Sequence, residues 1–461
     1  MKSSSSYLKY VDIGLEVDSE KNVVATYLIE KAVTSRLDGL AFLGSVAAES
    51  STGTWTDVKT ATAGANLIAG KVFAYDPAVG IAKIAYPIDL FEPGNISQLL
   101  TVIAGNAFGL ADVSKLKLMD ISLPKMYLAS YLGPRHGIKG VYERLKIEKN
   151  IPIIGSIIKP KCGLTASEHA EICFDAWSGL ASEGGTHGVD MVKDDEALTH
   201  QPAFGSDFYT RIRLSIDAMK RAEDISGRKK IYVPNVTSSN VLESIRRADF
   251  VARLGGDAIM IDFVMGGCSL LHTLRNQDLG LIIHGHRTLF AALHRAQDFG
   301  VDYMVWAKLF RVIGGDQVHT GTPAIGVMSS KKAAVLDIVA SVTEATYLPS
   351  TSSASGLAQD FDGLRSVLPI CGAGLDPLTT EKIVKELGPR VALFAGGGVH
   401  GHPGGTRAGA ASLRESVEAV HSGTSFEDFA ATRNVPWLNE ALKHFGAFDK
   451  QSPNSDAGVN M

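Results

Sequence analysis

The stretch VDMVKDDE, residues 189–196, is a short apolar segment that ends in four charged side chains. In a parallel barrel, side chains leave the core at the carboxyl end of each strand and face the active-site mouth. Asp195 and Glu196 are carboxylates of the kind that bind Mg²⁺. Lys193 fits beside a cation only if CO2 converts its amine into a carbamate, a third anionic ligand. The alternative is a solvated charge run after a strand.

After residue 150, a pattern of a short apolar strand followed by a helical stretch occurs eight times. The predicted strands are residues 151–158, 188–193, 230–236, 258–264, 280–286, 317–321, 367–374 and 391–398. Helical stretches predicted between them include residues 166–180, 208–225, 241–254 and 379–387. Eight such units predict an α/β fold of the (β/α)8 TIM-barrel type rather than an open doubly wound sheet.

The first part of the chain has a different organisation. Residues 22–28 and 81–88 alternate like strands, and residues 96–104 are typical of a helix. A turn-rich segment, GPRHG at residues 133–137, separates this part from the barrel. We therefore expect an N-terminal α+β domain of ferredoxin-like fold over residues 1–140 and a catalytic barrel over residues 141–450.

The composition is that of an ordinary globular protein. The 461 residues carry a net charge of −4. The protein therefore lacks the excess positive charge that favours binding to nucleic acid or to an anionic membrane. Neither a signal peptide nor an apolar run long enough to span a bilayer is apparent. The four cysteines are scattered, which indicates a reducing compartment. We expect a soluble, cytoplasmic protein whose partners are small molecules.

Other predicted strand ends carry chemically useful side chains. Lys159 and Lys161 flank a proline after the first strand, and a lysine beside other cations is a candidate acid or base. His286 and Arg287 end the fifth strand, and His319 ends the sixth. An arginine fork suits a phosphate, and an imidazole suits proton transfer. Each group alone also fits a structural role at a turn.

Glycines follow the last two strands. Gly372 and Gly374 end the seventh strand, and the triple glycine at residues 396–398 ends the eighth. In a barrel, glycines at these two places let backbone N–H groups approach a phosphate closely. A tight turn explains either loop alone, but the pair favours a phosphate site.

These motifs together resemble the RubisCO large-chain superfamily over about residues 40–448. The segments GSIIKPKCGL, VKDDE, HGHR, HTGT and the triple glycine occur in the family's order and spacing. AAESSTGTW at residues 47–55 and GNAFG at residues 105–109 are similar to its N-terminal active-site segments. The amino-acid sequence of these segments is most similar to that of archaeal form III enzymes.

The resemblance implies a role for each matching residue. The implied Mg²⁺ ligands are carbamylated Lys193, Asp195 and Glu196. The implied catalytic residues are Lys159, Lys161, His286, Lys193, Asn106 and Glu49, with Glu49 coming from the partner subunit. The implied phosphate-binding residues are Thr54, Trp55, Gly374, Gly396 and Gly397 for one phosphate, and Arg287 and His319 for a second.

The chain departs from the family pattern at three positions. Val327 stands where the mobile loop has a lysine that stabilises the incoming carboxylate, Phe290 replaces a histidine, and Gly372 replaces a serine. Losing such a preorganised charge costs about 10²–10³ in rate. We therefore expect a RubisCO-like protein of form IV.

Such a protein would be a homodimer, or an assembly of dimers, that uses Mg²⁺ to form an enediolate from a phosphorylated ketose or keto-acid sugar. Isomerase, enolase and decarboxylase chemistry all pass through that intermediate and stay open. One alternative is a divergent form III ribulose-1,5-bisphosphate carboxylase in which Lys331 replaces the loop lysine. Another is a non-catalytic binding protein.

Overall fold

A computed structural model describes residues 4–56, 58–180, 187–325 and 330–449. Its N-terminal part is an antiparallel sheet in the order β4-β1-β3-β2. Two helices, α2 and α4, follow β1 and β3 and bury their apolar side chains against the sheet. This is the ferredoxin-like arrangement that the sequence predicted. The elements are β1 (Asn22–Lys31), β2 (Lys71–Asp76), β3 (Ile81–Pro87), β4 (Val113–Ser122), α1 (Ser4–Leu8), α2 (Ala41–Glu49), α3 (Ala63–Leu67), α4 (Ile96–Ala104) and α5 (Lys125–Leu128).

The rest of the described chain alternates strands and helices. The strands are β5 (Ile153–Ile157), β6 (Met191–Lys193), β7 (Ile231–Val233), β8 (Ala258–Asp262), β9 (Ile282–His286), β10 (Phe299–Val301), β11 (Gln317–His319), β12 (Thr346–Tyr347), β13 (Gln359–Asp360), β14 (Leu368–Gly372) and β15 (Ala392–Ala395). The α-helices are α6 (Gly137–Leu145), α7 (Ala166–Ser178), α8 (Phe208–Ser226), α9 (Val241–Arg253), α10 (Phe263–Asn276), α11 (Phe290–His294), α12 (Tyr303–Ile313), α13 (Lys332–Thr343), α14 (Thr380–Leu387), α15 (Gly397–His400), α16 (Gly405–Ser422), α17 (Phe426–Thr432) and α18 (Pro436–Asp449).

Eight of these strands form one parallel sheet in the order β7-β6-β5-β15-β14-β11-β9-β8. The two edge strands, β7 and β8, meet at a parallel bridge between Asn235 and Met260. Backbone hydrogen bonds from Val236 N to Met260 O (3.0 Å) and from Met260 N to Pro234 O (2.7 Å) close the seam. The sheet is therefore a nearly closed barrel, and the predicted (β/α)8 fold and its eight strands are confirmed.

Local sequence signals explain where the barrel helices begin. Thr165 and Glu168 form a capping box at the start of α7, in which the Thr165 hydroxyl accepts from Glu168 N (3.2 Å). The Asp207 carboxylate accepts from Thr210 N (3.0 Å) at the start of α8. These caps fix the helices behind β5 and β6, whose ends carry most of the candidate site.

The two parts of the chain share a sheet. β10, which comes from the barrel part, pairs in parallel with β4 of the N-terminal sheet. A buried ion pair crosses the same boundary, where Lys308 Nζ of α12 lies 2.6 Å from Asp120 Oδ1. Lys308 Nζ also donates to Ile121 O (2.9 Å) and Leu357 O (3.0 Å). The N-terminal sheet is thus held to the barrel by backbone and side-chain bonds.

The described helices and the cysteines bear on the expected environment of the chain. None of their helices has the length and apolar character needed to cross a bilayer. The four cysteines are free thiols, and three of them are buried.

Candidate active site

Lys193 ends β6 and is completely buried. Its Nζ donates to Asp194 O (2.8 Å) and lies 3.4 Å from Met260 Sδ. Burial lowers the pKa of Lys193, although the nearby carboxylates of Glu196 and Asp195 act in the opposite direction. A lower pKa increases the share of neutral amine, which is the form that reacts with CO2.

Two lysines from the loop after β5 lie against the carboxylates that follow β6. Lys159 Nζ is 2.5 Å from Asp195 Oδ2, and Lys161 Nζ is 3.0 Å from Glu196 Oε1 and 3.9 Å from Asp195 Oδ1. Burial alone would raise the pKa of Glu196, but hydrogen bonds, one of them from Lys161, outweigh it and lower this pKa to about 2. The structure therefore brings four predicted site residues into one charged cluster.

The donor set of this cluster fits Mg²⁺ if Lys193 contributes an anion. Within the described ranges, no group of three His, Cys, Asp or Glu side chains is arranged to hold a metal. Asp195 and Glu196 supply two hard oxygen donors, which is the chemistry that Mg²⁺ prefers. A carbamate on Lys193 would supply the third. The Lys159 and Lys161 ammonium groups lie against these two carboxylates.

Three histidines line the barrel beside the cluster. The ring centroids of His284 and His286 each lie 4.9 Å from that of His319. Burial lowers the pKa of all three rings well below the ordinary value, so they are neutral. His286 Nδ1 accepts from Thr288 N (3.2 Å), which leaves Nε2 as the protonated nitrogen, 3.8 Å from Glu196 Oε2.

Asn235 and Asp262 belong to this site, although the sequence analysis did not single them out. Asn235 Nδ2 donates to Glu196 O and to Asp262 Oδ2, at 3.0 Å each. Burial raises the pKa of Asp262 to about 6. Asn235 and Asp262 are both polar residues at the ends of predicted strands. The same signal identified Lys193 and His286, and it could have identified these two residues as well.

Arg287 lies against aromatic rings rather than carboxylates. Its guanidinium carbon is 4.0 Å from the Phe290 ring centroid and 4.9 Å from that of Tyr303, and its Nη1 donates to Thr320 O (3.3 Å). Phe290 thus stacks on the guanidinium and holds its plane, leaving donors for an anion.

The glycines after β14 and β15 border the same mouth. A Cβ on Gly396 would meet Lys159 Cε at 3.0 Å, and a Cβ on Gly372 would meet His319 Cε1 at 3.1 Å. Gly374 has a φ of +75°, which favours glycine, whereas a Cβ on Gly397 would meet nothing within 4 Å. The glycines therefore keep the rim open next to Lys159 and His319.

Four predicted site residues lie elsewhere, on the N-terminal domain. Glu49 ends α2, Thr54 and the exposed Trp55 follow it, and Asn106 begins a short 3-10 turn. None of the hydrogen bonds or ion pairs found in the described ranges joins these side chains to the barrel mouth of the same chain. One chain alone therefore forms two separate groups of predicted site residues.

Val327 and the rest of residues 326–329 lie outside the described residues. The backbone on either side is closed by hydrogen bonds from Ala324 N to Ser330 O (2.9 Å) and from Ser330 N to Thr322 O (3.2 Å). Lys331 follows at once and is exposed at the start of α13. A lysine therefore directly follows Ser330, which is bonded to the residues after β11.

An eight-stranded α/β barrel with a cluster of charged side chains at the carboxyl ends of its strands is typical of barrel enzymes, whose active sites lie at that rim. The chain belongs to the RubisCO large-chain family. Residues 9–127 match "Ribulose bisphosphate carboxylase large chain, N-terminal domain", and residues 137–445 match "Ribulose bisphosphate carboxylase large chain, catalytic domain". This family consists of Mg²⁺-dependent enzymes.

Similar proteins come from archaea. The chain is 38% identical over 410 residues to "Ribulose bisphosphate carboxylase" of Methanocaldococcus jannaschii, covering 87% of this chain and 92% of the relative. Its identity to the protein of the same name from Archaeoglobus fulgidus is 36% over 447 residues, covering 95% and 98%.

Solved structures give the same result. The dimeric archaeal Rubisco from Hyperthermus butylicus superposes with a TM-score of 0.87 at 34% identity, covering 95% of this chain and 99% of that one. The octameric ribulose-1,5-bisphosphate carboxylase/oxygenase from Pyrococcus horikoshii, solved with sulfate, gives a TM-score of 0.84 at 34% identity, covering 96% and 97%.

These relatives overturn the expectation of a RubisCO-like form IV protein with isomerase, enolase or decarboxylase activity. That expectation was wrong because it gave the substitution at Val327 more weight than the sequence similarity, which extends over nearly the whole chain. The relatives matched over that length are named as carboxylases. They support the alternative of a divergent form III carboxylase.

Proposed function

We propose that this chain is a ribulose-1,5-bisphosphate carboxylase of the archaeal form III type. One observation carries the proposal. The cluster of Lys159, Lys161, Asp195 and Glu196 surrounds the buried Lys193 at one end of the barrel, in a chain whose matched relatives are named as that enzyme.

Lys193 as a carbamate, Asp195 and Glu196 would hold the Mg²⁺ ion. Bound there, the ion would act as a Lewis acid that polarises substrate oxygens and stabilises negative charge. Lys193 suits carbamate formation because it is buried and its pKa is lowered. This ligand set rests on the donor chemistry of the cluster.

Lys159 is the group that we assign to proton transfer at the enolising carbon. Its Nζ lies 2.5 Å from Asp195 Oδ2, which places the ammonium directly beside the proposed Mg²⁺ ligands. Lys161 would keep positive charge beside the developing enediolate. Neutral His286 can donate a hydrogen bond from Nε2 without adding charge.

The two phosphates of the substrate would bind at opposite sides of the mouth. Arg287 and His319 suit one phosphate, because the guanidinium has free donors and is held flat by aromatic rings. Backbone N–H groups of Gly374, Gly396 and Gly397 suit the other.

We assign Glu49, Thr54, Trp55 and Asn106 to the barrel of a partner subunit. They are exposed or half-buried on the N-terminal domain, apart from the barrel mouth of their own chain. A homodimer, or an assembly of dimers, would bring them to a second mouth. The dimeric and octameric states of two similar structures support this arrangement.

Lys331 is our candidate for the cation that stabilises the new carboxylate when CO2 adds. It is exposed and directly follows Ser330, whose backbone is hydrogen-bonded to Ala324 and Thr322. The next residue, Lys332, already forms an ion pair with Glu386, in which Nζ is 2.6 Å from Oε2. Lys332 is therefore a matched control.

The test measures incorporation of labelled bicarbonate into acid-stable product from ribulose bisphosphate with Mg²⁺ present. We expect fixation by the wild type, a loss of about 10²–10³-fold in Lys331→Ala, and little change in Lys332→Ala. If wild-type protein exchanges the substrate's proton with D2O but fixes no label, the carboxylase proposal is refuted. Equal losses in both variants would refute the role of Lys331.

A further inference from the structure

Asp194, the first acid of the KDDE run, does not face the barrel mouth. Side chains alternate along a strand, so Asp194 points away from the side that Lys193 and Asp195 occupy. It is fully buried between β6 and the surrounding helices. None of the roles assigned above uses this carboxylate.

Donors from three neighbouring segments converge on Asp194. Its Oδ2 accepts from Arg211 Nη2 (3.1 Å) and Asn235 N (3.1 Å), and its Oδ1 accepts from Tyr232 OH (2.5 Å). His169 Nε2 lies 3.3 Å from Oδ1. These groups come from α8, the β7 region and α7, so the carboxylate joins the strand to its neighbours on both sides.

Arg211 extends this network to the loop that follows Glu196. Besides Asp194, its guanidinium donates to Thr199 O (3.0 Å) and Ser206 O (3.5 Å). One buried side chain therefore ties the strand end and both sides of the 197–206 loop to α8. Asn235 adds a bond to Glu196 O (3.0 Å).

We propose that Asp194 and Arg211 are positioning residues, which fix the backbone of residues 193–196 so that Lys193, Asp195 and Glu196 present their donor atoms together. The inference rests on the proposed role of those three residues as Mg²⁺ ligands. Loss of a group that hydrogen-bonds to metal ligands and orients them commonly lowers metal affinity by about 10–100-fold.

Stability alone is a poor explanation for this pair. Desolvation offsets much of the attraction in a buried ion pair, and apolar replacements of similar volume are often neutral or stabilising. The chain offers a matched comparison at the other end of the same strand. There, Asp190 is paired with the Arg414 guanidinium, and both are buried.

The experiment compares two double variants of the full-length protein, Asp194→Asn/Arg211→Met and Asp190→Asn/Arg414→Met. Each removes one buried ion pair and leaves no lone charge. Three quantities are measured: the free energy of unfolding in urea, hydrogen exchange of peptides covering residues 194–206, and Mg²⁺ affinity by calorimetry with bicarbonate present. Single Asp194→Asn and Arg211→Met variants serve if a double variant does not fold.

We expect the Asp194/Arg211 variant to remain folded, to exchange the 194–206 amides at least tenfold faster, and to bind Mg²⁺ about 10–100-fold more weakly. The Asp190/Arg414 variant should keep wild-type exchange in that segment and wild-type Mg²⁺ affinity. Unchanged loop exchange in the folded Asp194/Arg211 variant would overturn the proposal, as would equal effects of both variants.

Failure of the proposed function has a different signature. If the wild type binds no Mg²⁺ with bicarbonate, the ligand assignment is wrong, whatever the variants do. Faster exchange of residues 194–206 in the Asp194/Arg211 variant alone would still show that the pair holds this loop. Unchanged exchange would refute the positioning role independently of metal binding.

Discussion

Replacing Gly396 by alanine tests whether Lys159 moves the proton in the enolisation step. The new Cβ would lie 3.0 Å from Lys159 Cε, whereas ordinary contacts begin at 3.4 Å. Lys159 Cε would have to shift by a few tenths of an ångström. A misplacement of about 1 Å can cost about 10²-fold in rate, so this smaller shift should cost about tenfold or less. The next contact, with Ile157 O at 3.4 Å, is ordinary, so the backbone need not move.

We expect Gly396→Ala to lower the rate of proton exchange between ribulose bisphosphate and D2O by about 3–10-fold. The free energy of unfolding should change by less than about 1 kcal/mol, because the displaced atom is on a flexible side chain. Gly397→Ala is the control for the added methyl group, since its Cβ meets nothing within 4 Å. It should raise KM for a phosphorylated substrate and leave the rate at saturation unchanged. A wild-type exchange rate in Gly396→Ala would refute the role of Lys159.

Two further predictions concern buried charges. Lys308→Met should lower the free energy of unfolding by about 3–5 kcal/mol, because it leaves Asp120 buried without its partner. Adding Asp120→Asn should recover part of that loss in urea titrations, and a single variant as stable as the wild type would contradict the assignment. For Asp262, a folded-state pKa of about 6 lies above the ordinary value of about 4, so the native state binds this proton more tightly and loses stability as the pH rises from 4 through 6. Asp262→Asn, unfolded in urea without metal, should remove about 3 kcal/mol of that pH dependence, and an unchanged pH profile would count against burial as its cause.

The fold followed from the sequence because its strands are short, apolar and regularly spaced. All eight barrel strands lie within or overlap the predicted segments, and helix α4 has the predicted bounds, residues 96–104. The ends of those strands also predicted the cluster of Lys159, Lys193, Asp195 and Glu196. A strand brings its end to the barrel mouth whatever the loops do, so these positions can be read from periodicity.

Other parts of the site depend on contacts that periodicity does not encode. Asp194 and Asp195 are neighbouring aspartates in the sequence, and only the contacts that they make after the end of β6 separate their roles. The position of Phe290 under Arg287 is set by packing of α11. The form IV expectation failed because one substitution, at Val327, was weighed above a similarity that extends over nearly the whole chain.

The pairing of β10 with β4 has a consequence for how the chain is made. β4 is complete long before the ribosome reaches Val301, and until then the outer edge of the N-terminal sheet has unpaired N–H and C=O groups. The bonds from Leu116 N to Asp298 O and from Asp302 N to Leu118 O, both 2.8 Å, can form only afterwards. The nascent N-terminal domain therefore has an unpaired strand edge that can pair with other chains. A hybrid that exchanges this domain between relatives should include the β10 segment as well.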